Sequence, residues 1–279
     1  MNTLRDHQYK KRFGQNFLND RSVCRRIVDE IPRERINTVM EIGPGLGILT
    51  GELLDSGYEV IALEIDQDLC DHLSDLFSQR LGSDLQLHNM DGMRYLNEIK
   101  SNSIPFIVSN LPFNISSELI GFLLDRIDLA SGSKALDGGI IMFQKEFAKR
   151  LVAPPGNKSY GRLSVMFQTK MDYRTLFEVS RYNFKPVPKV DAMVIGFEQK
   201  RDPITIPSND LLFRKLVNVA FMNRRKKLKN SILPPPLNLD VNPTSLVNLL
   251  DSNGLSGRRP DSLAPEEFVE LSNSLNALQ

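Results

Sequence analysis

The chain has 279 residues and 31.6 kDa, 41% hydrophobic and 25% charged, the composition of a folded globular protein rather than a disordered one. No apolar run approaches the eighteen or so residues of a membrane span, and Met1 to Arg12 is polar and basic with no apolar core of a secretory signal. Two distant cysteines, Cys24 and Cys70, and three histidines without ligand spacing point away from a disulfide scaffold or a metal site, so the cytoplasm is the expected compartment. The net charge of +1 hides an asymmetry. Residues 1–35 hold nine Lys/Arg against five Asp/Glu, residues 36–100 three against twelve, residues 101–200 thirteen against nine, and residues 201–279 ten against eight. A near-neutral total is compatible with a polyanionic partner if the cations converge on one face, and equally with an ordinary solvated surface.

In chain order, Thr38 to Ile42 reads as a buried strand that ends in Gly43-Pro44-Gly45-Leu46-Gly47, and Ile48 to Ser56 as the following helix. Glu59 to Glu64 is the second strand and Gln67 to Ser78 the second helix, with Leu69, Leu73, Leu76 and Phe77 on one face. Leu85–Asn89, Phe106–Ser109 and Ile140–Phe143 are the next strands, and a helix is expected from about Ser116. Strands alternating with helices imply βαβ units and a mostly parallel sheet covered on both faces. Tyr173–Val179 and Ala192–Phe197 read as a closing antiparallel pair. Beyond Phe197 the pattern turns helical: a stripe of Leu212, Leu216 and Val219, a basic run from Arg224 to Lys229, a break at Pro234-Pro235-Pro236, and stretches near Thr244–Leu250 and Pro265–Leu275.

A strand, a glycine-rich turn and an acid at the end of the next strand form the general plan for an adenosine-bearing cofactor. Glu64 stands where a carboxylate can accept hydrogen bonds from both ribose hydroxyls. The spacing is Gly-x-Gly-x-Gly, and the third glycine of a dinucleotide fingerprint would fall on Ile48. That disfavours NAD or FAD and favours a cofactor without phosphates, such as S-adenosylmethionine; a purely structural turn is the alternative. Asp91 could accept from an adenine amino group, or could simply cap a helix.

Asn110-Leu111-Pro112-Phe113 follows the fourth strand. In a sheet ordered third, second, first, fourth, fifth, this loop and the glycine turn face each other across the switch point. The loop suits an exocyclic aromatic amine. The Asn110 side-chain oxygen and the Leu111 carbonyl could bind its two N–H groups and aim the lone pair, Pro112 would stiffen the loop, and Phe113 offers a stacking face. An ordinary strand-end turn around a buried Phe would read the same way.

The sequence resembles the ribosomal RNA adenine N6,N6-dimethyltransferases of the KsgA type from about Lys10 to Ile232. The resemblance rests on Lys11 to Leu18, Glu41 to Gly47, Glu64 to Asp66, Asp91, Asn110 to Phe113, Tyr160 to Ser164, Phe184 to Asp191 and Arg224-Arg225-Lys226, in the family's order. It implies a class I methyltransferase fold, a Rossmann-like, mostly parallel, doubly wound α/β sheet, with a small all-helical C-terminal domain. The expected division is residues 1–200 for the methyltransferase domain and 201–279 for an RNA-binding one. It also implies methylation of two adjacent adenosines near the 3′ end of small-subunit rRNA, within a pre-ribosomal subunit, by a monomer. By carry-over, Asn16 and Leu18 contact the methionine part of S-adenosylmethionine, Gly43 and Gly45 form its turn, Glu64 holds the ribose, Asp91 the adenine, and Asn110 the crevice between cofactor and target. Phe113 and Phe184 would sandwich the target base. Ala192 departs from the family's usual serine, which would remove one hydrogen bond near Phe184.

A base inside a stem must be extruded to reach a buried methyl donor, and aromatic platforms with a basic groove are the usual means. The basic candidates are Lys10, Lys11 and Arg12, then Lys145, Lys149 and Arg150, then Arg224, Arg225, Lys226, Lys227 and Lys229. An apolar stripe of Val217, Phe221, Leu228 and Ile232 would turn the charges of the last run outward, whether towards phosphate or merely towards solvent. Three other functions compete: a non-enzymatic assembly factor, a large-subunit adenine methylase, and a nicotinamide oxidoreductase, which the glycine spacing disfavours.

Overall fold

The computed structural model describes residues 16–99, 103–201, 203–233 and 242–278. Lys10 to Gln15, Pro234-Pro235-Pro236 and the rest of the chain lie outside them. In chain order the elements are β1 (Phe17–Leu18), α1 (Arg21–Asp29), β2 (Thr38–Ile42), α2 (Ile48–Asp55), β3 (Glu59–Glu64), α3 (Gln67–Leu76), β4 (Leu85–Asn89) and α4 (Gly92–Glu98). Then come β5 (Phe106–Asn110), α5 (Ser116–Arg126), β6 (Gly139–Gln144), α6 (Lys145–Leu151), α7 (Arg162–Lys170), β7 (Met171–Val179), β8 (Phe184–Lys185) and β9 (Ala192–Gln199). Four helices close the chain: α8 (Asp210–Met222), α9 (Leu228–Ile232), α10 (Pro243–Ser252) and α11 (Pro265–Asn276). Among the described residues no helix is long and apolar enough to cross a membrane.

The fold divides into two compact units. The first takes in residues up to Leu123 with Ala135–Ala148 and Arg174–Glu198; the second takes in Leu124–Lys134, Lys149–Tyr173 and the chain from Gln199. The main sheet has seven strands in the order β4-β3-β2-β5-β6-β9-β7. Strands β4 to β6 are parallel, as expected, and β9 runs antiparallel beside β6. The central strands are buried on both faces, hence near-continuous apolar runs such as Gly139–Gln144.

One register detail creates the site. β2 pairs with β3 over five residues, from Thr38↔Glu59 to Ile42↔Leu63, but with β5 only at Val39↔Phe106 and Met40↔Ile107. Beyond Met40 the two strands have no further ladder pair, and the Ser109 hydroxyl donates to the Ile42 carbonyl. The sheet therefore opens at its switch point, between the two strand ends expected to face each other.

A short second sheet covers this end. β1 pairs antiparallel with β8, Leu18 opposite Phe184. Asn19 N donates to the Asn183 carbonyl at 2.9 Å, and Asn183 Nδ2 donates to Asp20 Oδ2 at 2.6 Å. Asp20 also caps α1 by accepting from Ser22 N. α1 buries Val23, Cys24, Ile27 and Val28, and is tied to α2 by Arg21 and Arg25, both paired with the Glu52 carboxylate at 2.7 and 3.2 Å. Ala192, fully buried, shares one apolar cluster with Phe184.

In the second unit α7, α8, α9 and α11 pack together. The Tyr160 to Ser164 motif is structural here: Tyr160 is fully buried with its hydroxyl donating to the Leu263 carbonyl at 2.8 Å, and Gly161 N donates to Ser164 Oγ at 3.0 Å to start α7. Lys170, 1% exposed, donates to the Leu124 and Ile127 carbonyls and pairs with Asp210 at 2.9 Å. The stripe read through Val217, Phe221, Leu228 and Ile232 is divided between α8 and α9, because residues 223–227 form turns.

Candidate active site

The opening between β2 and β5 is a cavity of about 260 Å³, formed wholly within the first unit. Its floor is the glycine turn. Gly43, Gly45 and Gly47 have φ of +72°, +59° and +80°, a region that costs any other residue energy. Two of them also leave no room for a side chain: a Cβ at Gly45 would lie 2.7 Å from the Phe17 ring and one at Gly47 2.7 Å from Leu73 Cδ2, while one at Gly43 would press on Pro112 Cδ at 3.3 Å.

One side of the cavity is acidic. Glu64, at the end of β3, is 5% exposed. Its Oε2 accepts from Gly45 N at 3.1 Å and its Oε1 from Asp66 N at 2.9 Å, so each oxygen keeps a lone pair for a ligand. Burial raises its pKa, against the backbone N–H groups of Asp66, Gly45 and Ile65. Asp91 caps α4 through Oδ1, which accepts from Arg94 N at 2.9 Å; among the described residues Oδ2 takes no donor. The capping and ligand readings of Asp91 are therefore compatible.

Glu41 is the acid that sequence reasoning left without a role. It is 1% exposed, lines the cavity, and accepts from Thr50 Oγ1 at 2.7 Å. Burial pushes its carboxyl up to about 8, with the Thr50 hydroxyl opposing and the Glu64 charge adding to the rise. A lone acid inside the otherwise apolar run of β2 was the available signal. Phe17 was also given no role, because its contact with Gly45 spans 28 positions of the chain.

The opposite side is the acceptor loop. Asn110 is the last residue of β5 rather than a loop residue. Its Nδ2 donates to the Asn16 carbonyl at 3.3 Å, which leaves Oδ1 as the outward acceptor. Leu111 is buried, while Pro112 and Phe113 are half-buried. Asn16, Leu18, Gly43, Gly45, Glu64, Asp91 and Asn110 to Phe113 all line this one cavity.

Phe184 does not line it. It is 1% exposed, with its ring 6.4 Å from that of Phe113 at 62°. The two rings are in direct edge-to-face contact, so no slot for a base lies between them. Arg224, expected at the RNA, is engaged within its own unit: it donates to Asp261 at 3.2 Å and to the Lys158 and Asn157 carbonyls. Arg225 and Lys226 are exposed. Lys145 is paired with Glu178 at 2.6 Å.

The donor set tests the cofactor. Among the described residues the cavity lining holds three acidic side chains, Glu41, Glu64 and Asp91, and no lysine or arginine. A pyrophosphate would find acids and no described cation there, whereas a cationic, phosphate-free adenosine derivative fits. Among the described residues no cluster of His, Cys, Asp or Glu could hold a metal ion.

Comparison with known proteins agrees with this geometry. The model of the family described as ribosomal RNA adenine dimethylase matches residues 6–245. A ribosomal RNA small subunit methyltransferase A from Saccharophagus degradans is 36% identical over 276 residues, covering 98% of this chain and 96% of that protein. Among solved structures, a dimethyladenosine transferase from Plasmodium falciparum superposes with a TM-score of 0.78 at 23% identity, covering 94% of this chain and 98% of that one. The 23S rRNA methyltransferase ErmE superposes with a TM-score of 0.71 at 25% identity, covering 94% of this chain and all of that one.

Proposed function

Because the chain belongs to the ribosomal RNA adenine dimethylase family, we propose that it uses S-adenosylmethionine to dimethylate the N6 amines of two adjacent adenosines near the 3′ end of small-subunit rRNA. Bound in the cavity, S-adenosylmethionine supplies an electrophilic methyl group on a positively charged sulfur. The carrying observation is the single cavity that Glu64 and Phe113 share, because methyl transfer needs donor and acceptor pockets in contact. The higher identity to the small-subunit methyltransferase than to the 23S enzyme favours the small-subunit substrate.

In this reading Glu64 accepts from the ribose hydroxyls while Gly45 N and Asp66 N hold its carboxylate still. Asp91 Oδ2 accepts from the adenine amino group of the cofactor. Asn16, Leu18 and the glycine turn enclose the methionine part. Glu41 and Glu64 favour positive charge in the cavity.

On the acceptor side Asn110 Oδ1 and the Leu111 carbonyl accept the two N6–H groups of the target. Aromatic amine nitrogen is a poor nucleophile because its lone pair is delocalised into the ring. Two acceptors below the ring plane favour the pyramidal nitrogen and stabilise the positive charge that develops on it. Phe113 stacks on the base, backed by Phe184 rather than paired with it across the base. The methylated ammonium is acidic enough to lose its proton to water, so no strong base is required.

For RNA binding we assign phosphate contact to Arg225 and Lys226 in the 201–279 segment, and leave Arg224 to its contacts with Asp261 and the 157–158 backbone. The chain would act as a monomer in the cytoplasm, on a pre-ribosomal small subunit. The test is methyl transfer from labelled cofactor to undermethylated small subunits. Labelled N6,N6-dimethyladenosine supports the reading, and its absence with pure, cofactor-binding protein opposes it.

A further inference from the structure

We propose that Tyr182, held by Arg181, is a second stacking platform that takes a nucleotide base flanking the target adenosine. The inference rests on the methyltransferase reading and adds a substrate-positioning residue to it. Tyr182 is 68% exposed, on a segment of the same unit as the cavity. An exposed tyrosine on a loop is usually mobile and costs entropy to order on binding. This one is fixed. Its backbone lies in a single turn of 3-10 helix over Arg181–Asn183, capped by Ser180, whose side chain accepts from Tyr182 N.

Arg181 fixes the ring as well. Its guanidinium carbon lies 5.1 Å from the ring centroid, and Nη2 donates to the tyrosine hydroxyl at 3.1 Å. Arg181 is itself anchored, with its backbone N donating to Asp191 Oδ1 at 3.1 Å and Nη1 donating to the Lys189 carbonyl at 3.3 Å. The turn is in turn anchored to the cavity wall. Asn183 bonds to Asn19 and Asp20, and Phe184 pairs with Leu18, which lines the cavity. Tyr182 and Phe184 are two positions apart, at most about 7 Å of chain, and the Phe184 ring lies 6.4 Å from that of Phe113.

The charge around the ring suits RNA. Residues 181–189 carry Arg181, Lys185 and Lys189 and no acid, and both lysines are exposed. A rigid aromatic face among cations is the combination that binds unpaired nucleotides, with the ring taking the base and the cations the backbone. An extruded target leaves its neighbour without a stacking partner on one side, and Tyr182 supplies one.

The test separates this claim from the methyltransferase reading. Wild type, Tyr182→Ala and Tyr182→Phe are compared for S-adenosylmethionine affinity by calorimetry and for KM and kcat on undermethylated small subunits. Stacking predicts that Tyr182→Ala raises KM for the subunit about 5- to 150-fold, the range for one stacked base. It predicts unchanged kcat and cofactor affinity, and rescue by Tyr182→Phe, which keeps the ring and loses only the hydroxyl. Wild-type KM in the alanine variant overturns the platform, as does equal damage from phenylalanine. A wild-type protein that methylates no subunit overturns the methyltransferase reading instead.

Discussion

A side chain placed at Gly43 would put its Cβ 3.3 Å from Cδ of Pro112, so the cofactor turn and the acceptor loop touch across the open end of the sheet. The contact sets the width of the passage between donor and acceptor. It explains why a glycine in the left-handed region and a proline with a fixed φ face each other there. Gly43→Ala should cost about 1–2 kcal/mol from the backbone conformation alone and press on the acceptor loop in addition. The expected result is a lower melting temperature together with a larger loss in kcat than in cofactor affinity. Equal losses in both would mean that the passage is not what the contact controls.

Glu64→Gln should weaken S-adenosylmethionine binding by about 1.5–3 kcal/mol, the value of a hydrogen bond to a charged group. The amide keeps the side-chain volume, so thermal melting guards against simple misfolding. Titration calorimetry that finds wild-type affinity would remove Glu64 from the ribose.

The Asn110 amide is oriented by its bond to the Asn16 carbonyl. Asn110→Ala should lower kcat on the order of 10²–10³-fold, the loss of one preorganised electrostatic group, with cofactor affinity largely kept. Asn110→Asp retains an acceptor but loses the donor to Asn16, so it should be impaired through misorientation. Near-normal turnover in the alanine variant would take Asn110 out of the mechanism.

Glu41 gives a pH prediction. Its folded-state pKa is raised to about 8 from 4.5, chiefly by burial. The folded protein therefore binds a proton that the unfolded chain releases. That stabilisation is full at low pH, erodes as pH rises above 4.5, and is lost by about 8. The melting temperature should fall across that window, and Glu41→Gln should flatten the fall. A cationic ligand favours the ionised acid, so affinity for S-adenosylmethionine relative to its neutral thioether product should rise as pH climbs towards about 8. A pH-independent ratio by calorimetry would place the charge of the ligand away from Glu41.

Much of the sheet was legible because its strands are short apolar runs divided by turn residues. Alternation with helices gave a mostly parallel sheet, the assumed order third, second, first, fourth, fifth is the one observed, and Asn110 was misplaced by a single position. The two-residue strands β1 and β8 left no trace, since two residues have no period and their pairing joins positions 166 and 168 apart. Helix α4 was legible only as the alternative that Asp91 caps a helix, because seven residues give barely two turns of pattern. At the site, glycine spacing and Glu64 were readable because backbone conformation and a buried charge constrain residue type directly. The packing of Phe184 against Phe113 and the engagement of Arg224 by Asp261 were not, because an aromatic or an arginine reads the same whether it meets RNA or its own fold.

The central claim is that one cavity brings the methyl donor to an adenine N6. Tritiated methyl groups from S-adenosylmethionine should appear in undermethylated small subunits as N6,N6-dimethyladenosine, located by nuclease digestion to two neighbouring residues near the 3′ end of the RNA. Asn110→Ala, which still binds the cofactor, should incorporate far less. Label on another atom, or equal incorporation by that variant, would contradict the account.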